Sequence, residues 1–238
     1  MGKMRVGGLV VTVVRKNIKN LHVAVYPRDG WVRVATPLRV NDQAVRLAVA
    51  SRVGWIRRQQ KKLLNQERQS PREYVSRESH YFLGRRYLLS VVNHDGPGRV
   101  SINGKPSIDL FVPIGASRGK RERILQQWYR KELKALIPPL VSKWEKISGL
   151  EVSAWGVKKM KTRWGTCNQN ARRIWINLEL AKKPIQCLEY IIVHEMVHLL
   201  ERHHGEKFVA HMDRLFPQWR SLRDQLNRFP LRHEKWKY

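Results

Sequence analysis

The stretch Cys187–His204 reads CLEYIIVHEMVHLLERHH and combines an apolar run of helical length with the motif H-E-x-x-H. On a helix, the four-residue spacing places His194 and His198 on one face, one turn apart. Two neutral imidazoles at this spacing can bind one zinc ion. Glu195 stands beside the first of them and is suited to accept a proton from an attacking water. The stretch therefore predicts a buried helix that carries two metal ligands and a general base.

A third ligand is expected, because zinc in a hydrolytic site takes three protein ligands and keeps one position open. His204 follows His194 by ten residues, which is about 15 Å along a continuous helix and too far to share one ion. We therefore expect the helix to end between His198 and His204, with Gly205 suited to the exit. The downstream candidates, in order of preference, are His204, then His203 and Glu206, and finally His211 and Asp213.

Positive charge is spread along the whole chain. The sequence holds 47 lysines and arginines against 19 aspartates and glutamates, a net charge of +28. Divided at residue 117, each part carries +14, so the charge belongs to the folded body and not to a tail. Such a field attracts polyanions and loses that attraction in salt. Nucleic acid is therefore a candidate partner. A basic surface without a dedicated partner, and attachment to an anionic membrane or the ribosome, are the alternatives.

The cysteines and the N-terminal segment favour a cytoplasmic protein. Cys167 and Cys187 are too few for a disulfide framework and are typical of reduced thiols. The apolar run from Val6 to Val14 is short, contains two glycines and leads into Arg15 without a small-residue cleavage site, so it predicts a strand and not a signal peptide. No run approaches the roughly 20 apolar residues that a bilayer span needs.

Strands and helices do not alternate regularly along the chain, which favours an α+β fold. We predict a β-rich N-terminal region over residues 1–116, with one long basic helix at 43–67, and a catalytic domain over 117–238. A helix at 119–147 opens the second region, and Pro138-Pro139 should kink or break it. No internal repeat is evident. The predicted strands lie at 8–14, 21–27, 31–36, 81–83, 86–92, 108–113, 151–160, 162–167 and 172–178, with a turn at Arg28-Asp29-Gly30.

Several segments together resemble the YgjP-like metallopeptidases, a bacterial group related to the SprT-type and minigluzincin zinc peptidases. The segments are RWGTC at 163–167, IWINL at 174–178, the H-E-x-x-H helix and HHGEKF at 203–208. The family pattern has serine where Thr166 stands, and N-H-S where this chain has His203-His204-Gly205. Because His203 fills the asparagine position, the resemblance makes His204 the matching third ligand. Looser landmarks at 15–17, 84–87 and 128–130 extend the resemblance over nearly the whole chain.

The motif and the resemblance together predict a zinc-dependent metallopeptidase with a zincin-like catalytic domain and a protein or peptide substrate. Zinc would be held by His194, His198 and His204, with Glu195 as the general base. The basic surface adds nucleic-acid-associated proteins as a candidate substrate class. A strand at 162–167 or 172–178 can align a substrate as an added strand. Candidate residues on the substrate side are Thr166, Cys167 and Asn177.

Two other interpretations stay open at the level of the sequence. The chain could be a non-catalytic nucleic-acid-binding protein whose zinc is structural and closed by a fourth ligand, namely Cys167, Cys187 or His203. It could also be a zinc hydrolase that acts on a non-peptide bond. Histidine ligands do not fix the metal either, since manganese, iron and nickel also accept nitrogen donors.

Overall fold

The computed structural model describes residues 2–26, 30–64, 72–104, 106–160 and 163–228. These residues form eleven strands and six α-helices, in two compact units that cover Met1–Arg68 and Gln69–Tyr238. The mixture of small sheets and helices confirms the predicted presence of both α and β structure. None of the described helices combines the length and the apolar character that a bilayer span requires.

The first unit is a four-stranded sheet with two helices on one face. Its elements are β1 (Gly2–Val6), β2 (Leu9–Lys16), β3 (His22–Val25), β4 (Val32–Pro37), α1 (Asp42–Ala50) and α2 (Val53–Leu64). The strand order is β1-β2-β4-β3, in which β2 and β4 are parallel and the other neighbours are antiparallel. Alternate sheet residues such as Val11 and Val34 share a buried core with Val45, Val49 and Ile56 of the helices.

The long helix predicted at 43–67 is two helices in the structure. The amide of Ser51 bonds to the carbonyl of Leu47 and closes α1, and α2 then begins at Val53. A single helix over the predicted range would be about 37 Å long, whereas strands of this sheet reach at most about 27 Å. The break keeps both helices on the sheet. Residues 65–67 of the prediction, and Arg28-Asp29 of the predicted turn, lie outside the described residues.

The second unit begins with another four-stranded sheet, which the long helix α3 covers. Its elements are β5 (Ser79–Phe82), β6 (Arg85–Asn93), β7 (Arg99–Ser101), β8 (Ser107–Val112), α3 (Arg118–Ser148), β9 (Ala154–Lys158), β10 (Gly165–Asn168), β11 (Arg173–Asn177), a 3₁₀ helix (Leu178–Lys182), α4 (Ile185–Val197), α5 (Glu206–Leu215) and α6 (Trp219–Arg228). Leu89 and Leu110 of the sheet belong to the same core as Leu133 of α3. The compact units therefore divide between Arg68 and Gln69, and not after residue 116 as the strand and helix order suggested.

The two four-stranded sheets repeat one topology, although no repeat is evident in the sequence. In each sheet the first and second strands form one antiparallel hairpin, and the third and fourth strands form another. The second and fourth strands lie side by side and parallel, and a helix follows the fourth strand. Equivalent positions in the two sheets differ by 76 in residue number throughout. The equivalent positions include two turn glycines, two prolines at the end of the fourth strand, two helix N-caps and three buried pairs. In order, they are Gly8 and Gly84, Pro37 and Pro113, Asn41 and Ser117, Val13 and Leu89, Val32 and Ile108, and Val34 and Leu110.

The proline pair does not end α3, which is continuous from Arg118 to Ser148. Pro138 and Pro139 lack the N–H groups that would bond to the carbonyls of Lys134 and Ala135. All four of these residues are exposed, so water can satisfy the two carbonyls. The opposite face of the helix buries Leu133, Ile137 and Val141 on both sides of the prolines. Burial of that face offsets the lost backbone hydrogen bonds.

Replacing Pro138 by alanine should stabilise the protein. The variant restores one N–H that can bond to the carbonyl of Lys134. Alanine also makes the unfolded chain more flexible, so the expected net increase in the free energy of unfolding is about 2 kcal/mol. Urea unfolding followed by circular dichroism measures it. The control is Lys134→Ala, which changes an exposed side chain and no backbone donor, and should stay within about 0.5 kcal/mol of the parent. Unchanged or lower stability of Pro138→Ala would contradict the account of the helix.

Candidate metal centre and active-site cleft

Three imidazoles converge at the C-terminal end of α4. The ring nitrogens of His194, His198 and His204 all lie within 4.8 Å of one another. α4 already ends at Val197, and the following loop turns back so that Nε2 of His204 lies 3.0 Å from Nε2 of His194. The chain thus makes the reversal that the ten-residue spacing requires, slightly earlier than the sequence suggested. His203 and Glu206 do not join this cluster.

Phe208 of α5 forms the buried support beneath the three rings. Its ring centroid lies 5.0 Å from that of His194 and 4.7 Å from those of both His198 and His204. Phe208 itself is almost fully buried. α5 begins at Glu206, two residues after His204. The side chain of Phe208 therefore contacts the rings of His194 and His198 as well as that of His204, and holds them together.

Two of the three histidines, His194 and His198, lie in surroundings that favour the neutral imidazole. Nδ1 of His198 lies 2.9 Å from the carbonyl of Glu201, so an Nδ1–H donor there leaves the Nε2 lone pair available. Burial, and then the neighbouring His198 and His204, lower the pKa of His194 to about 3. Burial also lowers the pKa of His198, against the effect of its bond to Glu201. Neutral imidazoles that face one another at contact distance fit a divalent metal ion that prefers nitrogen ligands.

A fourth protein ligand is absent from this cluster in the described part of the chain. Cys187 is fully buried two turns before His194, and its thiol contacts the side-chain oxygen of Gln225 at 3.6 Å. Cys167 and His203 line the cleft without joining the three rings. A metal ion held by these three rings would keep one coordination position open, whereas a structural zinc site is normally closed.

Glu195 is buried between α4 and the neighbouring strand β10. Only 4% of its surface is exposed, and a Cβ built on Gly165 would lie 2.5 Å from its Oε1 atom. A side chain at position 165 would therefore displace the carboxyl group. Burial raises the pKa of Glu195 to about 8, and the positive charge of Arg163 opposes that rise. Burial, with a smaller effect of Glu195, also raises the pKa of the Cys167 thiol to about 11.

Asn177 holds the segment that leads into β10. Its amide nitrogen donates to the carbonyls of Met160 and Arg163, at 3.0 and 2.7 Å. Its amide oxygen accepts from the backbone N–H groups of Met160 and Glu179, both at 3.2 Å. Asn177 is fully buried, so it cannot contact a substrate and the expectation that it does is wrong. The residue instead fixes the start of the strand that packs against Glu195.

β10 is an edge strand of the sheet β10-β11-β9, as far as the described residues show. The N–H of Asn177 bonds to the carbonyl of Trp164, which makes these two a hydrogen-bonded pair of the antiparallel ladder. Because such pairs alternate along the strand, Gly165 and Cys167 direct their backbone N–H and C=O groups away from β11. Two residues of β10 thus present unpaired ladder groups at the open edge.

A cleft of about 1150 Å³ runs along this edge and over the three imidazoles. Its walls are β10, the end of α4, the loop that carries His204, and α6, which contributes Trp219 and Leu226. Thr166 and Cys167 line it, as expected for candidates on the substrate side. The contribution of α6 was not anticipated, because nothing in its sequence marks it as part of a site.

Two residues important to the geometry were present in the quoted motifs without an assigned role. Gly165 is needed because Glu195 occupies the space that a side chain at position 165 would fill. Phe208 is needed because the three imidazoles pack against its ring. The signal for Phe208 was its position as an apolar residue four positions after His204, in the first turn of α5. The signal for Gly165 was weaker, since a single glycine does not reveal what approaches it.

Comparison with known proteins agrees with this chemistry. Residues 19–229 match the YgjP-like metallopeptidase domain family. No curated protein matches the sequence significantly. Among solved structures, the metallopeptidase zymogen abylysin of Pyrococcus abyssi is similar at 17% sequence identity, over 37% of this chain and 89% of that chain, with a TM-score of 0.35. That likeness is too low to support any detail of the fold. The family match, by contrast, spans nearly the whole sequence, and this chain therefore belongs to the YgjP-like metallopeptidase family.

Proposed function

We propose that the chain is a zinc-dependent peptidase in which His194, His198 and His204 hold the metal and Glu195 is the general base. The observation that carries this proposal is the convergence of three imidazoles beside a buried carboxyl group in one cleft. The lack of a fourth ligand in the described cluster favours a catalytic site over a structural one. All four residues lie in the catalytic domain predicted at 117–238, which we assign to the zincin-like class.

A zinc ion in this position supplies Lewis-acid chemistry, by lowering the pKa of a water molecule and polarising the peptide carbonyl. Glu195 accepts the proton of the attacking water and then delivers it to the leaving amine. The burial that raises its pKa makes the carboxyl group a stronger base than an exposed glutamate. Gly165 and Asn177 keep β10 in place against it, so the carboxyl group has one position.

The open edge of β10 is the proposed binding site for the substrate backbone. An extended peptide can pair with the outward N–H and C=O groups of Gly165 and Cys167 and so become an added strand. A Cβ built at Gly165 would point toward Glu195. The side chain of Cys167 lies on this same face, because side chains alternate along a strand. A peptide bound at this edge lies next to both the base and the metal ligands.

Removing any one of the three histidines should abolish stable metal binding. For His194→Ala, His198→Ala and His204→Ala we expect affinity losses beyond about 100-fold, larger than those typical of residues that only orient a ligand. Metal content after dialysis, measured by mass spectrometry, tests this. His203→Ala is the matched control, since this exposed histidine is next to His204 but outside the cluster, and it should keep the metal. Equal metal content in all four variants would exclude the site.

Replacing Glu195 by glutamine should leave the metal bound and remove the activity. We expect kcat/KM to fall by at least about 100-fold, because the amide cannot accept the proton. Peptide cleavage and metal content are measured on the same preparations. Glu206→Gln is the control, because this exposed glutamate begins α5 and lies outside the described metal cluster. Undiminished cleavage by Glu195→Gln would refute the role of Glu195 as the base. Metal binding without any cleavage by the parent protein would favour the alternative of a non-catalytic protein with structural zinc.

Nucleic-acid-associated proteins are the substrate class that the charge distribution favours. The unit Met1–Arg68 carries 15 lysines and arginines against 3 aspartates and glutamates. On α2, Arg57, Arg58 and Lys61 are exposed, and so is the ring of Trp55 at 38%. Asp42, the one acidic residue in the described part of this unit, is paired with Arg15 at 2.6 Å. Exposed cations beside an aromatic ring suit a phosphate backbone and its bases.

The free thiols of Cys167 and Cys187 support a cytoplasmic location.

If nucleic acid recruits the substrate, it should raise cleavage of a DNA-bound protein above that of the same protein free in solution. The double variant Arg58→Glu with Lys61→Glu should weaken oligonucleotide binding about tenfold at low salt. Fluorescence anisotropy at several salt concentrations and a cleavage assay measure the two effects. Lys134→Glu, an exposed change on α3, is the control. Equal cleavage with and without nucleic acid at low salt would contradict this part of the proposal.

A further inference from the structure

Charged side chains in the cleft are cationic, apart from the proposed base. Arg163, Arg202 and Arg223 all line the cleft, and Glu195 is the one carboxylate among the described lining residues. Glu195 is almost fully buried, whereas the three arginines are exposed. A ligand that enters the cleft therefore meets positive charge on its walls.

The three arginines come from three separate elements that surround the imidazoles. Arg163 stands two residues before β10, at the start of the open edge. Arg202 lies in the loop that returns His204 to the cluster, and Arg223 lies on α6, with its guanidinium 5.1 Å from the centroid of the Trp219 ring. A substrate in the cleft is thus flanked by guanidinium groups at its strand side, at the metal loop and at the helix wall.

Two of the three arginines have no carboxylate within ion-pair distance among the described residues. In the described chain, neither Arg163 nor Arg202 forms an ion pair, although the charge of Arg163 acts on the buried Glu195. Arg223 forms an ion pair with the adjacent, exposed Asp224 at 3.3 Å. Asp213 at the end of α5 is bound instead by the indole N–H of Trp219, at 2.7 Å, and by Arg220. Since guanidinium groups are always charged and match a carboxylate in geometry, the cleft is suited to bind side-chain carboxylates.

We propose that the cleft selects peptides with aspartate or glutamate near the scissile bond, and that Arg223 is a specificity-determining residue. This inference rests on the proposed peptidase function and names its substrate class. The open edge of β10 favours a peptide over a nucleic acid as the occupant, because its outward N–H and C=O groups pair with an extended main chain. Lysine or arginine at the same substrate positions is repelled by the three guanidinium groups.

The test uses the full-length, zinc-loaded protein and matched peptides that differ by a single exchange of glutamate for glutamine near the cleavage site. We expect kcat/KM to be about three- to fivefold higher for the glutamate peptide at low salt, as for a partly exposed ion pair. The preference should shrink at high salt because the charges are screened. In Arg223→Gln the ratio of the two rates should fall toward one, and in Arg223→Glu it should fall further, because a carboxylate then replaces one of the three guanidinium groups.

The control is Arg214→Gln, an exposed arginine of α5 outside the cleft, which should keep the wild-type ratio. Cleavage of glutamate, glutamine and lysine peptides at equal rates would overturn the specificity and leave the peptidase function intact. If no peptide is cleaved, the peptidase function fails. In that case the specificity is tested by binding alone, with fluorescence anisotropy of the same labelled peptides and the zinc-loaded Glu195→Gln protein. Equal binding of all the peptides would overturn the proposed specificity. Tighter binding of an oligonucleotide than of the acidic peptide, lost in Arg223→Gln, would also overturn it.

Discussion

The reversal of the chain after α4 is the constraint on which the proposed metal centre depends. A continuous helix would carry His204 away from His194, so the helix must end as soon as it has presented His198. The carbonyl of Glu201, which holds the ring of His198, belongs to the same loop that brings His204 back. Phe208 then packs against all three rings from the next helix. Helix end, loop and aromatic support are therefore parts of one local arrangement.

The position of Glu195, the proposed base, depends on a second contact, between α4 and β10. Gly165 allows the strand to approach the buried Glu195, and Asn177 fixes the segment before the strand through three side-chain hydrogen bonds. The same contact leaves the other edge of β10 open beside the three imidazoles. One strand thus confines the carboxyl group on one side and offers backbone groups for pairing on the other.

Local spacing made much of the candidate site predictable from the sequence. Residues four apart share a helix face, and a simple length limit showed that the helix had to stop before His204. Features set by tertiary packing were less accessible. The proline pair was expected to disturb α3, but exposure of the freed carbonyls and burial of the opposite face keep the helix whole. Asn177 was placed among the substrate-side candidates, because the sequence does not show that its amide binds the backbone of Met160 and Arg163, which lie 17 and 14 residues before it. The arginines of the cleft come from separate elements, so no single segment reveals their proximity.

The repeated four-stranded sheet bears on how the chain was assembled. A fixed shift that preserves turn glycines, helix caps and buried positions is the pattern left by tandem duplication of an ancestral segment, followed by loss of sequence similarity. The second copy is followed by a longer helix, with 31 residues in α3 against 9 in α1, and then by β9 through α6. The three imidazoles and Glu195 all lie among these later elements. The candidate site is therefore built from residues outside the duplicated part of the chain.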